Sequence, residues 1–124
     1  MKIKTVFLIT SILSFLFGLG FLITPGFFCR MLDFAQEGDG PVAMRFAGIL
    51  ILGISILVFR ARYSTDIRSL KIIATYLAAT YSMMLIFHLV LQIFFNIGSI
   101  LLWAVDALHL AFALYYWIFA VKAE

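Results

Sequence analysis

Asp106 and His109 stand three residues apart inside the apolar run SILLWAVDALHLAFALYYWIFAV. At that spacing a carboxylate and an imidazole share one face of a helix. Together they can move a proton or hold the polar end of a ligand, since an imidazole titrates near working pH. A second pair, His88 and Gln92, lies four residues apart in the preceding apolar run. An ionisable group at the centre of a membrane helix costs about 2.5–3.5 kcal/mol on insertion scales. Such groups therefore need partners or a polar cavity. Arg45, near the start of an earlier apolar run, is the fifth polar residue of this kind. It can pair with Asp106 or bind an anionic head group.

The rest of the chain supplies an apolar frame for these five residues. Of its 124 residues, 65% are hydrophobic and 12% charged, and the mean hydropathy is +1.16. Too few polar residues exist to cover a water-soluble surface of this size, so lipid is the expected solvent. The expectation is a single transmembrane domain, 1–124, with an all-α fold: an integral membrane four-helix bundle. Four runs, at about 5–24, 41–59, 70–94 and 99–121, are long enough to cross the hydrocarbon core. Helices satisfy their own backbone groups there, and the runs lack the alternating polarity of a membrane barrel. The basic N-terminus, MKIKTVFLITSILSFLFGLGFLI, resembles a signal peptide in outline. Its apolar run is too long and no small-residue cleavage site follows, so it reads as a retained first span.

Loop charge orients the spans. Lys2 and Lys4 precede the first; Arg60, Arg62, Arg68 and Lys71 surround the link between the second and third; Lys122 follows the fourth. Arg30 and Arg45, beside Asp33, Glu37 and Asp39, fall on the other side. The positive-inside rule then makes both termini cytoplasmic, in an inner (plasma) membrane protein with multiple passes. Charge of +3 is accounted for by this topology and does not indicate nucleic-acid binding. Asn96 and Gly98 suit a tight turn that makes the last two spans antiparallel neighbours. The longer link TPGFFCRMLDFAQEGDGP predicts a short interfacial helix, capped by Thr24, begun at Pro25 and stopped near Gly38. Phe27, Phe28, Met31, Leu32 and Ala35 form its apolar face. Cys29, the one cysteine, reads as a small interfacial residue.

Counting inward at 1.5 Å per residue puts Arg45, His88, Gln92, Asp106 and His109 all in the outer half of the membrane. Thr10, Ser14 and Gly18 on the first span, and Gly48 and Ser55 on the second, form small-residue stripes for close helix packing. Gly53 lies on a neighbouring face. Tyr115, Tyr116, Trp117 and Trp103 read as interface anchors. Two histidines and an aspartate are metal-ligand types, but no known ligand spacing is present, so no metal site is expected. The depth offset between the histidines argues against a shared haem.

FLITPGFFCRMLDF followed by MRFAGILILGISIL, a proline-led interfacial segment and then an arginine with glycines behind it, resembles small bacterial four-helix membrane proteins, broadly the DoxX-like class. The resemblance covers about the first half. It implies a four-helix fold in a bacterial inner membrane, and it supplies no activity, cofactor or catalytic residue. Similarity to small multidrug-resistance exporters is poorer, because the first span lacks their essential acidic residue. The expected function is binding of a lipophilic small molecule (quinone, isoprenoid or lipid) in an outer-half polar cavity. Arg45 and Gln92 would hold its head, and Asp106, His109 and His88 would transfer protons if chemistry occurs. Two other readings stay open: an accessory subunit of a membrane complex, and a small proton-coupled transporter acting as a homodimer with Asp106 as carrier.

Overall fold

A computed structural model describes residues 2–122. All of the regular structure in them is helical: α1 (Ile3–Ile23), α2 (Pro25–Leu32), α3 (Asp39–Ala61), α4 (Ile67–Phe94) and α5 (Ile100–Lys122). Four of these, all but α2, are long and apolar enough to cross a membrane. At 21 to 28 residues they measure about 32–42 Å, against a hydrocarbon core of ~30 Å. This is the design of a multi-pass membrane protein. The chain divides into two compact units, Met1–Ser64 and Thr65–Glu124.

In the first unit α1 packs against α3, with α2 touching both. The small-residue stripes meet as their spacing suggests. Thr10, Ser14 and Gly18 are buried on α1, and Gly48 and Ser55 on α3. Ser55 Oγ donates to the backbone oxygen of Ser11 across the interface, at 2.8 Å. Further along, a Cβ on Gly18 would lie 3.0 Å from the backbone oxygen of Gly48. Ser11 against Ser55 and Gly18 against Gly48 make the pair antiparallel. Gly53 faces open space and takes no part.

The segment between α1 and α3 departs from expectation in three ways. Thr24 Oγ1 donates back to Gly20, at 3.0 Å, so it closes α1 instead of capping α2. The α2 helix stops at Leu32 because Asp33 turns left-handed (φ 60°) and Phe34 N–H bonds back to Cys29, well before Gly38. Asparagine and aspartate tolerate that conformation better than most residues. Its packed face is Pro25, Cys29 and Leu32, with Phe28 stacked edge-on to Phe21. Phe27 and Ala35 are exposed. Cys29 is fully enclosed, and burial pushes its thiol above the ordinary range, which suppresses the reactive thiolate.

In the second unit α4 packs against α5. Asp66 caps α4: its carboxylate accepts from the Ser69 hydroxyl and from the backbone N–H of Ser69 and Arg68. These bonds, the Ser69 hydroxyl foremost, hold the carboxyl below its usual range. The cap is therefore intact above the ordinary carboxylate range, and is lost only as pH falls through the lowered folded value. The far end of α4 closes with Phe95 and Ile97 N–H both bonded to Leu91 O, at 3.2 and 3.0 Å. Asn96 (φ 52°) and Gly98 (φ 123°) then reverse the chain into α5, as their residue types suggest.

Candidate functional site

The α4–α5 turn fixes the register of the two helices, and that register brings four of the five expected site residues together. His88 and Gln92 project from α4 one turn apart; Asp106 and His109 do the same from α5. His88 Nδ1 lies 2.8 Å from Asp106 Oδ1. Gln92 Nε2 donates to Asp106 Oδ2, and reaches the His88 backbone oxygen at 3.3 Å. The two imidazole rings are 5.3 Å apart, centre to centre. Asp106 is 3% exposed, and Gln92 and His109 8% each. Arg45 is an exposed residue of α3, in the other compact unit.

The hydrogen-bond pattern assigns roles. A carboxylate only accepts, so its partner nitrogen on His88 is an N–H. Gln92 must present its NH₂ to Asp106, which turns its Oε1 away. Both oxygens of Asp106 are thus engaged, and its orientation is locked from two points on α4.

Two atoms are left over. Gln92 Oε1 and His109 Nδ1 are buried and have no hydrogen-bond partner among the described residues. His109 Nδ1 sits 4.0 Å from Asp106 Oδ1, beyond hydrogen-bonding distance. A buried polar atom left unpaired costs about 1–3 kcal/mol, and the two lie on neighbouring side chains.

Behind His109 the site has an aromatic wall. Tyr81 of α4 lies 5.5 Å from the His109 ring, and stacks on Phe112 and Tyr116 at 5.4 and 6.2 Å. Tyr116 is fully buried; it is a core residue of this wall and not an interface anchor. The sequence offers a signal for it in hindsight. Tyr81 precedes His88 by seven residues and Tyr116 follows His109 by seven, two turns along the same faces. Trp117 is partly exposed, and its indole N–H reaches Ser82 Oγ at 3.2 Å. Trp103 is exposed, consistent with an anchor.

Gly98 ties the turn to the site. A Cβ there would fall 2.6 Å from Leu102 Cδ2 and 3.1 Å from Gln92 Cγ, on a backbone at φ 123°. Gly98→Ala is therefore expected to destabilise the protein by about 1–3 kcal/mol and to dislodge Gln92. Asn96→Gly, at φ 52°, should be nearly neutral. Denaturant unfolding in micelles, followed by circular dichroism, compares the two; equal stabilities would contradict the expectation.

Fold and site together define a class: an all-helical chain, four helices of which can span a membrane, with a buried His–Asp–Gln–His cluster between the last two. No protein-family model, curated protein or solved structure matches it.

Proposed function

We propose that the protein is a four-helix inner-membrane protein, both termini cytoplasmic, that binds a lipophilic small molecule with a hydroxyl-bearing head at the His88–Gln92–Asp106–His109 cluster. The carrying observation is the pair of buried, unbonded atoms Gln92 Oε1 and His109 Nδ1. Gln92 Oε1 can only accept a hydrogen bond, and His109 Nδ1 can accept one in one tautomer. A hydroxyl head, as on a quinol, an isoprenoid alcohol or a lipid, completes both by donating its one hydrogen to Gln92 Oε1 and accepting from His109 Nδ1–H in the other tautomer. A quinone carbonyl offers no donor and fits less well. Tyr81 and Phe112, half-buried beside His109, offer apolar surface to the body of such a molecule.

Charge supports the topology. Lys2, Lys4, Arg60, Arg62, Arg68, Lys71 and Lys122 all sit at helix ends that fall on one side if each long helix crosses once.

The test is native mass spectrometry of the purified protein in mild detergent, with farnesol and a short-chain ubiquinol as probes. Wild type should retain one probe molecule per chain. Gln92→Leu and Asp106→Asn, verified as folded by circular dichroism, should lose it by tenfold or more. Unchanged retention in both variants would overturn the reading.

A further inference from the structure

We infer that His88, Asp106 and His109 form a binding site for one divalent transition-metal ion of the zinc or iron(II) type. Each offers a ligand atom, and the three atoms lie within 4.8 Å of one another. The individual distances suit a shared ion. Two donors that each sit about 2.0–2.2 Å from one ion are ~3–3.5 Å apart. The His88 Nδ1–Asp106 Oδ1 and His109 Nδ1–Asp106 Oδ1 separations of 2.8 and 4.0 Å bracket that spacing. The three atoms are spread over no more than 4.8 Å, so the widest pair must close by at most about 1.3–1.8 Å to share one ion.

Two further observations point to a ligand and not merely to packing. His109 Nδ1 is buried, faces the carboxylate and bonds to nothing among the described residues. It makes sense as a donor atom awaiting an acceptor of lone pairs. Gln92 supplies what ligating carboxylates usually have, a hydrogen bond to the oxygen that does not face the metal. Its Nε2 holds Asp106 Oδ2, which leaves Oδ1 for the ion. Charge fits as well. A buried carboxylate is costly to ionise unless a cation accompanies it. A divalent ion provides that cation.

The donor set selects the metal class. Two imidazoles and one carboxylate suit zinc, iron(II) and their neighbours; calcium and magnesium prefer all-oxygen sites, and copper(I) prefers sulfur. Binding requires Nδ1 of His88 to give up its proton, to Nε2 or to solvent, which frees the lone pair that faces Asp106. Three protein ligands leave a fourth position open, the arrangement of sites that bind a further molecule. The inference does not depend on the lipophilic ligand, although a hydroxyl head would reach that open position.

The experiment uses untagged, full-length protein in detergent, stripped with a chelator and titrated with Zn²⁺ and Co²⁺ alone, with no lipophilic probe present. Wild type should take up one ion per chain, and Co²⁺ should give the visible absorption of a low-coordinate nitrogen–oxygen site. His109→Phe removes a ligand without breaking a hydrogen bond and keeps the aromatic wall, so it should fold and bind at least tenfold more weakly. Gln92→Leu, which keeps all three ligands, should weaken binding about 10–100-fold. No stoichiometric uptake by wild type, or uptake by His109→Phe and His88→Ala equal to that of wild type, would overturn the inference. Because no probe is present, failure here leaves the lipophilic-ligand reading standing, and the reverse also holds.

Discussion

Gly48→Leu should prevent α1 and α3 from pairing, at a cost of about 3–5 kcal/mol. The geometry gives no room for a side chain. A Cβ on Gly48 would lie 2.8 Å from Gly18 O, 3.0 Å from Leu22 N and 3.1 Å from Phe21 Cβ. Two of these atoms are backbone, so no rotamer change relieves the clash and the helices themselves must separate. Overpacking alone costs about 1–3 kcal/mol. Separation also breaks the Ser55–Ser11 bond; interhelical hydrogen bonds in membranes contribute about 0.6 kcal/mol on average and ~1.7 at most. Close backbone contact is the main attraction between helices that lipid does not drive together, and it is lost over the whole stripe. Gly53→Leu is the matched comparison. Gly53 has open space around it, so its enlargement should leave the unit intact. Unfolding in mixed micelles, monitored by circular dichroism, separates the outcomes; similar losses for both variants would refute the assignment of the stripe to an internal contact.

That contrast shows which parts of the molecule could be read from the chain. Apolar run length located the four long helices within a few residues, because a span must cover ~30 Å. The stripe on α1 was legible because threonine, serine and glycine at i, i+4 and i+8 are rare unless backbones approach. Which serine oxygen accepts the Ser55 bond was not, since Ser11 lies one residue off the stripe. The end of α2 was misjudged because glycine is the commoner left-handed residue, and here Asp33 takes that role. Tyr116 was assigned to the membrane surface by its nearness to the helix end; its burial follows from stacking on Tyr81, a contact between helices that periodicity within one helix cannot reveal. At the site, depth counting placed His88, Gln92, Asp106 and His109 in one layer, and the short turn made their meeting plausible. The depth offset between the histidines argues against a shared haem, and no known ligand spacing is present in the sequence. A turn of five residues shifts the register enough to set the rings 5.3 Å apart, so ligands absent as a linear motif converge in space.

Asp106→Ala is expected to weaken the α4–α5 pairing by about 2 kcal/mol, and apolar replacement of the whole network should restore it. The single change leaves His88 Nδ1–H without its acceptor and Gln92 Nε2 with only the His88 backbone oxygen. Two lost interhelical bonds at about 0.6–1.7 kcal/mol each give the estimate. The burial cost of the carboxylate, about 2.5–3.5 kcal/mol, does not offset this loss, because it is incurred on insertion, before the helices pair. Asp106→Asn keeps one acceptor oxygen and should cost less than the alanine variant. The combined change Asp106→Leu, His88→Leu and Gln92→Leu removes every hydrogen-bonded side chain of the network at once and leaves only His109, whose Nδ1 bonds to none of them. Replacing a buried polar network by apolar residues is often neutral or stabilising, so this variant should insert more readily and pair at least as well as wild type. The comparison also separates structure from function. A network kept only to hold two helices together could be exchanged for leucine with no loss beyond packing. A network kept for a ligand would leave a stable protein that binds neither the hydroxyl probe nor the metal ion. Stability below that of Asp106→Ala in the triple variant would show that the polar groups are required for folding itself, and would sink the expectation.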